Sequence, residues 1–222
     1  MVIGATGMTG SNLLKMLLLD PRFTEVTVLG RNSCGLQAGK LVEKLLDLTN
    51  EPALRAAFPQ ADVCFCCIGT TTRKVKGNHA QYRKIDFDIP VLAAKLCRDK
   101  KFNAFIMVSA VGANPGSRNF YLRLKGQTEA AIKQQHPPVV YFMQPGMLTG
   151  NREEFRLAEK VAMPVMTVVS HLLTGRLTRY KSIAAGEVAA AMVEAAFKNE
   201  KGVFTCTYKE MKALTDDREP AQ

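Results

Sequence analysis

The chain opens Met1-Val2-Ile3, passes through Gly4-Ala5-Thr6-Gly7-Met8-Thr9-Gly10 and enters an apolar-rich segment that ends at Leu19. An apolar scrap, glycines at every third position and a helix-patterned stretch read as strand, tight turn and helix. The strand is short: either residue 1 lies inside a longer natural chain or the first strand is truncated in this numbering. Outward from it, Val26 to Leu29 gives a second strand, Leu45 to Leu46 a weak third and Pro52 to Phe58 a short helix. Val63 to Ile68 is a strand apolar on both faces, which suits a parallel sheet covered on both sides. His79 through Asp99 has a helical pattern despite Pro90, Phe105 to Val108 is the next buried strand, and a helix follows from about Phe120 to Gln134. Val139 to Phe142 and Val203 to Tyr208 supply a sixth and a seventh strand, with helices at Leu157 to Leu173 and Ala184 to Phe197 between them. The alternation predicts an α/β fold: a doubly wound, Rossmann-like parallel sheet with right-handed crossovers and helices on both faces.

The 222 residues amount to a single domain. Residues 214–222 lose periodicity and read as a frayed tail. With 47% hydrophobic and 23% charged residues the chain is globular in composition rather than disordered, collagen-like or membrane-embedded. The formal net charge of +10 favours nucleic acid, anionic lipid or a phosphorylated ligand without choosing among them. The basic residues Arg73, Lys74, Lys76, Arg83 and Lys84 crowd the loop after the fourth strand. Only Tyr82 lies among them, too few stacking aromatics for a nucleic-acid surface, so no nucleic-acid partner is expected and a solvated basic face is the alternative to a phosphate contact.

Six cysteines with no disulfide or zinc spacing, and no secretory leader, point to a reducing compartment, read as the cytoplasm. Cys64 and Cys67 fall on a strand that turns them to opposite faces, as core residues rather than a redox pair. The apolar stretch Val161 to Leu173 is broken by Pro164 and His171 and is shorter than a bilayer span, so no transmembrane helix is expected. His79, His136 and His171 share no ligand spacing, and no metal is expected.

Glycines between a strand and a helix let the backbone turn tightly and approach a pyrophosphate, which rests on the helix N-terminus. Gly4, Thr6, Gly7, Met8, Thr9 and Gly10 are therefore candidate dinucleotide-binding residues. At the end of the second strand stand Gly30 and Arg31, where an acid would hold the ribose of NAD and an arginine accommodates the 2′-phosphate of NADP. The reading is NADP(H), the alternative being that Arg31 is a solvated loop charge. Topology puts Asp47 and Leu48 near the adenine and Ile68, Gly69 and Thr70 along the cofactor.

Tyr121 and Lys125 stand at i and i+4, on one side of a helix. A phenol that exchanges protons near neutral pH needs a neighbouring cation, and the lysine supplies it. The alternative is a packed aromatic beside a solvated lysine.

Taken together, Gly-Ala-Thr-Gly-Met-Thr-Gly (4–10), Leu-Gly-Arg (29–31), Phe-Cys-Cys-Ile-Gly-Thr-Thr (65–71), Val-Ser-Ala-Val-Gly-Ala-Asn (108–114), Phe-Tyr-Leu-Arg-Leu-Lys-Gly (120–126) and Gln-Pro-Gly-Met-Leu (144–148) resemble the atypical short-chain dehydrogenase/reductase superfamily. Within it the chain looks like the oxidoreductase family of the HIV Tat-interacting protein. The resemblance implies NADP(H) binding, Tyr121 as proton donor or acceptor, and Lys125 on the nicotinamide ribose. It also implies that Leu148 of the Pro-Gly loop, with Arg152 and Arg156, closes over the cofactor, and that residues 144–183 contribute a small substrate lobe. The superfamily places a substrate-orienting serine after the fifth strand, and relatives often show two adjacent serines where this chain has Ser109-Ala110, so Ser109 is either that serine or its neighbour. Gln144 stands where relatives commonly carry arginine.

The function expected is an NADPH-dependent oxidoreductase acting on a small carbonyl or alcohol, with Tyr121, Lys125 and Ser109 as its catalytic residues. The alternative is an NADP(H)-binding redox sensor without turnover that reports to a protein partner. A basic nucleic-acid-binding module is a third reading, and the chain is a monomer or a dimer.

Overall fold

A computed structural model describes residues 1–135, 137–150, 175–198 and 200–216. The strands are β1 (Val2–Ile3), β2 (Val26–Gly30), β3 (Leu41–Leu45), β4 (Val63–Cys66), β5 (Ala104–Val108), β6 (Val139–Met143), β7 (Leu148–Thr149), β8 (Ile183–Ala184) and β9 (Gly202–Cys206). Seven of them form one sheet in the order β3-β2-β1-β4-β5-β6-β9, and β7 pairs with β8 in a separate ribbon. Every pairing in the large sheet is parallel, with Val2 opposite Val28 on one side and Phe65 on the other. Short as it is, β1 is fully buried at the sheet's centre. The chain runs outward from it in one direction through β2 and β3 and in the other through β4 to β9, which makes the ends of β1 and β4 the switch point where such sheets open a crevice.

Strand alternation sends side chains to two cores. Val2, Val28, Phe65, Ile106 and Tyr141 meet α1 (Met8–Leu19) and α6 (Ala185–Ala195), with Met211 of α7 (Tyr208–Asp216) beside them. Ile3, Leu29, Cys64, Phe105 and Phe142 meet α2 (Glu51–Ala57), α4 (Ile89–Asp99) and α5 (Phe120–Lys133) on the other face. Cys64 and Cys67 accordingly pack into different cores, and all six cysteines are free thiols.

Several expected elements shift. The third strand lies at Leu41–Leu45 rather than Leu45–Leu46, because an edge strand half-exposed to solvent carries Glu43 and Lys44 and lacks a continuous apolar run. The helical run from His79 is real but divided: α3 (His79–Arg83), a π turn (Lys84–Asp88) and then α4. Ile89 N–H reaches back to Lys84 O across the wide turn, just ahead of Pro90, which has no N–H to give.

The tail expected from residue 214 is instead helical through Asp216, with Met211 fully buried. Its start carries a signal visible in the sequence: Thr207 N–H donates to Glu210 Oε2 at 2.9 Å, as a threonine followed three residues on by glutamate allows. The helix expected at 157–173 and residues 217–222 lie outside the described residues. Among the described residues no helix is long and apolar enough to cross a membrane.

Candidate functional site

At the switch point the loops after β1, β2, β3 and β4 enclose an open cleft of about 880 Å³, its solvent-filled mouth included. Gly4, Thr6, Gly7, Arg31, Asp47, Leu48, Ile68, Gly69 and Thr70, all expected to hold a cofactor, line it together with Lys74. Gly4 has a φ of +85°, and a Cβ there would come within 2.7 Å of the Cys67 carbonyl carbon, so the turn closes only without a side chain. The 12-residue helix α1 points its N-terminus at this turn with Gly7 as N-cap and neither a side-chain cap nor an acid in its first turn. Uncapped N–H groups at the mouth of a glycine-lined cleft fit the pyrophosphate of a dinucleotide.

Arg31 and Asn32 line the cleft just beyond the end of β2. Their loop is anchored from β3, because Glu43 accepts from Ser33 Oγ at 2.7 Å and from Cys34 N–H at 2.6 Å. That anchor was not legible in the sequence, since it pairs a strand with the loop that precedes it. Asp47 folds back onto its own turn, accepting from Thr49 N–H at 2.9 Å and from Thr49 Oγ1 at 2.8 Å. The Thr49 N–H, ahead of its hydroxyl and more distant Arg31, holds the Asp47 carboxyl below the usual carboxylate range.

Tyr121 and Lys125 do not line this cleft. They occupy the first turns of α5, whose start is capped by Asn119 Oδ1 accepting from Leu122 N–H at 3.1 Å. The helix is seated by Gly126, where a Cβ would fall 2.3 Å from the Asn114 carbonyl carbon, so the Asn114–Pro115 backbone lies directly on it. Tyr121 is 39% exposed whereas Lys125 is 4% exposed, and the ammonium stands 5.9 Å from the centre of the Tyr121 ring.

What joins the pair to the cleft is Asp86, a residue the sequence reading passed over. It is carried on the π turn and is 1% exposed. Its Oδ1 lies 3.0 Å from Lys125 Nζ, and its Oδ2 accepts from Thr70 N–H at 2.8 Å. Burial alone would lower the Lys125 pKa, but the Asp86 carboxylate, followed by the Tyr121 phenol, outweighs burial and holds the ammonium above its ordinary range.

Other expected site residues turn elsewhere. The Ser109 side chain is buried and its hydroxyl donates to Glu129 on α5, so it is not presented to the cleft as a substrate-orienting serine. Strand alternation carried past β5 explains this, since Val108 and Ser109 face opposite sides of the sheet. The following residue, Ala110, offers no hydroxyl. Thr9 and Gly10 are also buried rather than cleft-lining: a Cβ on Gly10 would fall 2.1 Å from the Gly4 carbonyl oxygen, which makes that glycine a packing contact between helix and turn. Met8 places its thioether beside Gly150. Leu148 pairs with Ile183 in the small ribbon and packs at the edge of the α1-side core, away from the cleft. Arg152 and Arg156 lie outside the described residues.

Residues 4–200 match the family model described as NAD(P)H-binding. Among curated proteins the chain is similar to the mitochondrial protein FMP52 of Coccidioides immitis (30% identical, covering 90% of this chain and 86% of that protein). It is likewise similar to protein HTATIP2 of Rattus norvegicus (30% identical, 78% of each chain). Among solved structures, Bordetella bronchiseptica WbmG in complex with NAD superposes with a TM-score of 0.67 over 97% of this chain and 75% of that one, at 16% identity, a likeness of fold. These findings agree with an atypical short-chain dehydrogenase type of Rossmann fold. They overturn the cytoplasmic location expected above, because the fungal relatives are named mitochondrial. Cysteines without a disulfide framework do not distinguish one compartment from another.

Proposed function

This chain belongs to the NAD(P)H-binding family, and on that premise we propose that it is an NADP(H)-dependent oxidoreductase that interconverts a small carbonyl compound and its alcohol. The observation that carries the reading is the buried Lys125 ammonium, held charged by Asp86 beside the half-exposed Tyr121. Burying an ammonium is costly unless it is paired, and Asp86 supplies the pair that keeps Lys125 charged beside the phenol.

The bound dinucleotide supplies or accepts the hydride. Gly4, Thr6 and Gly7, with the first N–H groups of α1, take its pyrophosphate, and Arg31 pairs with the 2′-phosphate of NADP(H). Asp47 and Leu48 border the adenine, while Ile68, Gly69 and Thr70 line the path toward the nicotinamide. Lys125 binds the nicotinamide ribose and stabilises the phenolate of Tyr121. In the reducing direction Tyr121 gives its phenolic proton to the carbonyl oxygen as the carbon gains hydride, and solvent returns the proton to the half-exposed phenol. Arg152 and Arg156 are proposed to close over the cofactor, and residues 144–183 to shape the substrate pocket. The mitochondrial names of the fungal relatives support the same location for this chain.

One observation favours a second reading. With Ser109 committed to Glu129 and alanine at 110, neither of the two residues directly after β5 offers the Tyr-Lys pair a free hydroxyl, which suits a protein that binds NADP(H) and senses its redox state without turnover. Titration with NADPH and NADH followed by a screen of carbonyl compounds for NADPH oxidation separates them. Turnover supports the oxidoreductase, binding without turnover supports the sensor, and no binding of either dinucleotide overturns both.

A further inference from the structure

We propose that the substrate of this site is an anionic carbonyl compound, one that carries a carboxylate or a phosphate, and that Arg73, Lys76 and Arg118 receive that charge around the turn that bears Tyr121. The inference rests on the reading of Tyr121 as the proton donor and names the class of substrate it serves. The chain has 20 acidic residues, yet none falls between Val63 and Ile85 or between Phe102 and Thr128. These two stretches run from β4 to the π turn and from β5 into α5. They expose Arg73, Lys74, Lys76 and Arg118 to solvent, and none of the four side chains makes an ion pair among the described residues. Lys74 lines the dinucleotide cleft, and the other three stand outside it.

Packing brings the two stretches together. Val75 is buried in one cluster with Leu124, and Phe120 packs against it, so the chain on either side of Val75 is held to the first turns of α5. Lys76 N–H donates to Arg73 O at 3.1 Å and closes a turn there. Lys76 has a φ of +49°, a left-handed conformation that lysine adopts only at a cost. From the other side Arg123 donates through Nη1 to Ser117 O at 2.8 Å and to Arg118 O at 3.1 Å, which fastens the segment bearing Arg118 to the same helix. Like charges gathered without a counter-charge repel one another, and a bound anion removes that cost. The reaction needs such an anchor as well. With Ser109 turned to Glu129, that hydroxyl does not orient the carbonyl, whereas a charge held by the arginines and Lys76 fixes the substrate relative to the phenol.

The test is calorimetric binding of three probes to the NADP⁺-loaded protein, which has no hydride to give. The probes share one ring: 4-formylbenzoate, 4-formylphenyl phosphate and the neutral methyl 4-formylbenzoate. The wild type is expected to bind at least one anion about tenfold or more tighter than the ester, and the tighter anion names the group. That preference should shrink as salt rises from about 0.05 M to about 0.5 M, because the cations are exposed and therefore screened. The double variant Lys76→Asn, Arg118→Gln, whose asparagine tolerates the positive φ, is expected to lose about tenfold in preference while NADP⁺ affinity stays within about twofold. A wild type that binds neither anion, or binds the ester as tightly as both, overturns the proposal, as does a preference that neither salt nor the double variant reduces. An equal loss for NADP⁺ and the anions means that these cations serve the dinucleotide, and overturns it too. Should the double variant fail to fold, the salt dependence of the wild type decides. Absence of NADP⁺ binding overturns the reading of the cleft as well, whereas NADP⁺ binding without an anion preference overturns this inference alone.

Discussion

Gln144 donates from Nε2 to Glu129 Oε1 across 2.8 Å, and the Ser109 hydroxyl donates to the same oxygen, with all three side chains buried. Both donors are neutral. Burial therefore dominates and raises the Glu129 pKa from its ordinary value, with the Ser109 and Gln144 hydrogen bonds offsetting only part of the rise.

That direction fixes how stability depends on pH. A carboxyl whose folded pKa is raised contributes stability that is fully present below its unfolded pKa, ordinarily near 4.5, and is lost as pH climbs through the folded value. Glu129→Gln imitates the protonated carboxyl and should remove this loss. Urea midpoints of variant and wild type, followed upward from that pH to neutrality, should diverge in the variant's favour. A constant difference across the window would show that Glu129 ionises in the folded protein as freely as in the unfolded chain.

The proposed pairing of Arg31 with the 2′-phosphate predicts which dinucleotide is preferred. The wild type should bind NADPH more tightly than NADH, and Arg31→Ala should narrow the gap by weakening NADPH roughly tenfold or more, the worth of one charge-assisted hydrogen bond of about 1.5–3 kcal/mol. Fluorescence titration of both nucleotides reads this directly. A wild type that favours NADH removes Arg31 from the role.

Tyr121→Phe deletes one oxygen from a ring whose position is set by α5. NADPH affinity should stay within about twofold while reduction of whichever carbonyl serves as substrate falls by about 10²–10⁴-fold. Lys125→Met should damage binding and turnover together. Undiminished reduction by Tyr121→Phe would rule out the phenol as the proton donor.

Gly126→Ala tests the seating of the helix that presents Tyr121. The new methyl would meet the backbone of Asn114 and Pro115, which cannot swing aside as a side chain could, so a loss of about 3 kcal/mol is expected. Chemical denaturation measures it, and a loss under about 1 kcal/mol would mean that the 113–116 loop yields readily.

Much of the fold was legible because its signals are local. Val2-Ile3, the glycine turn and the apolar segment after it lie within 20 residues, and the buried strands β2, β4, β5 and β6 announced themselves as apolar runs. Legibility failed where burial was partial or the signal lay in caps: β3, half in solvent, was misplaced by four residues at its start, and α7 was missed although Thr207 and Glu210 mark its beginning. The cleft-lining residues were found because each ends a strand or opens the glycine turn. The place of Ser109 after β5 was legible, but its partner Glu129, twenty residues on, was not.

By itself the sequence determined the order of the main strands and helices, the parallel sheet, the glycine cradle at β1 and the placing of Tyr121 and Lys125 on one helical face, because periodicity, missing side chains and i, i+4 spacing act between near neighbours. Tertiary structure alone decided that Ser109 faces Glu129, that Gly10 packs against Gly4, and that Asp86 meets both Lys125 and Thr70. Those meetings depend on how far each helix is rotated against the sheet, and the rotation comes from packing two cores and widening one turn ahead of Pro90. No stretch of sequence carries that angle, so no local reading could supply the partner of a buried charge.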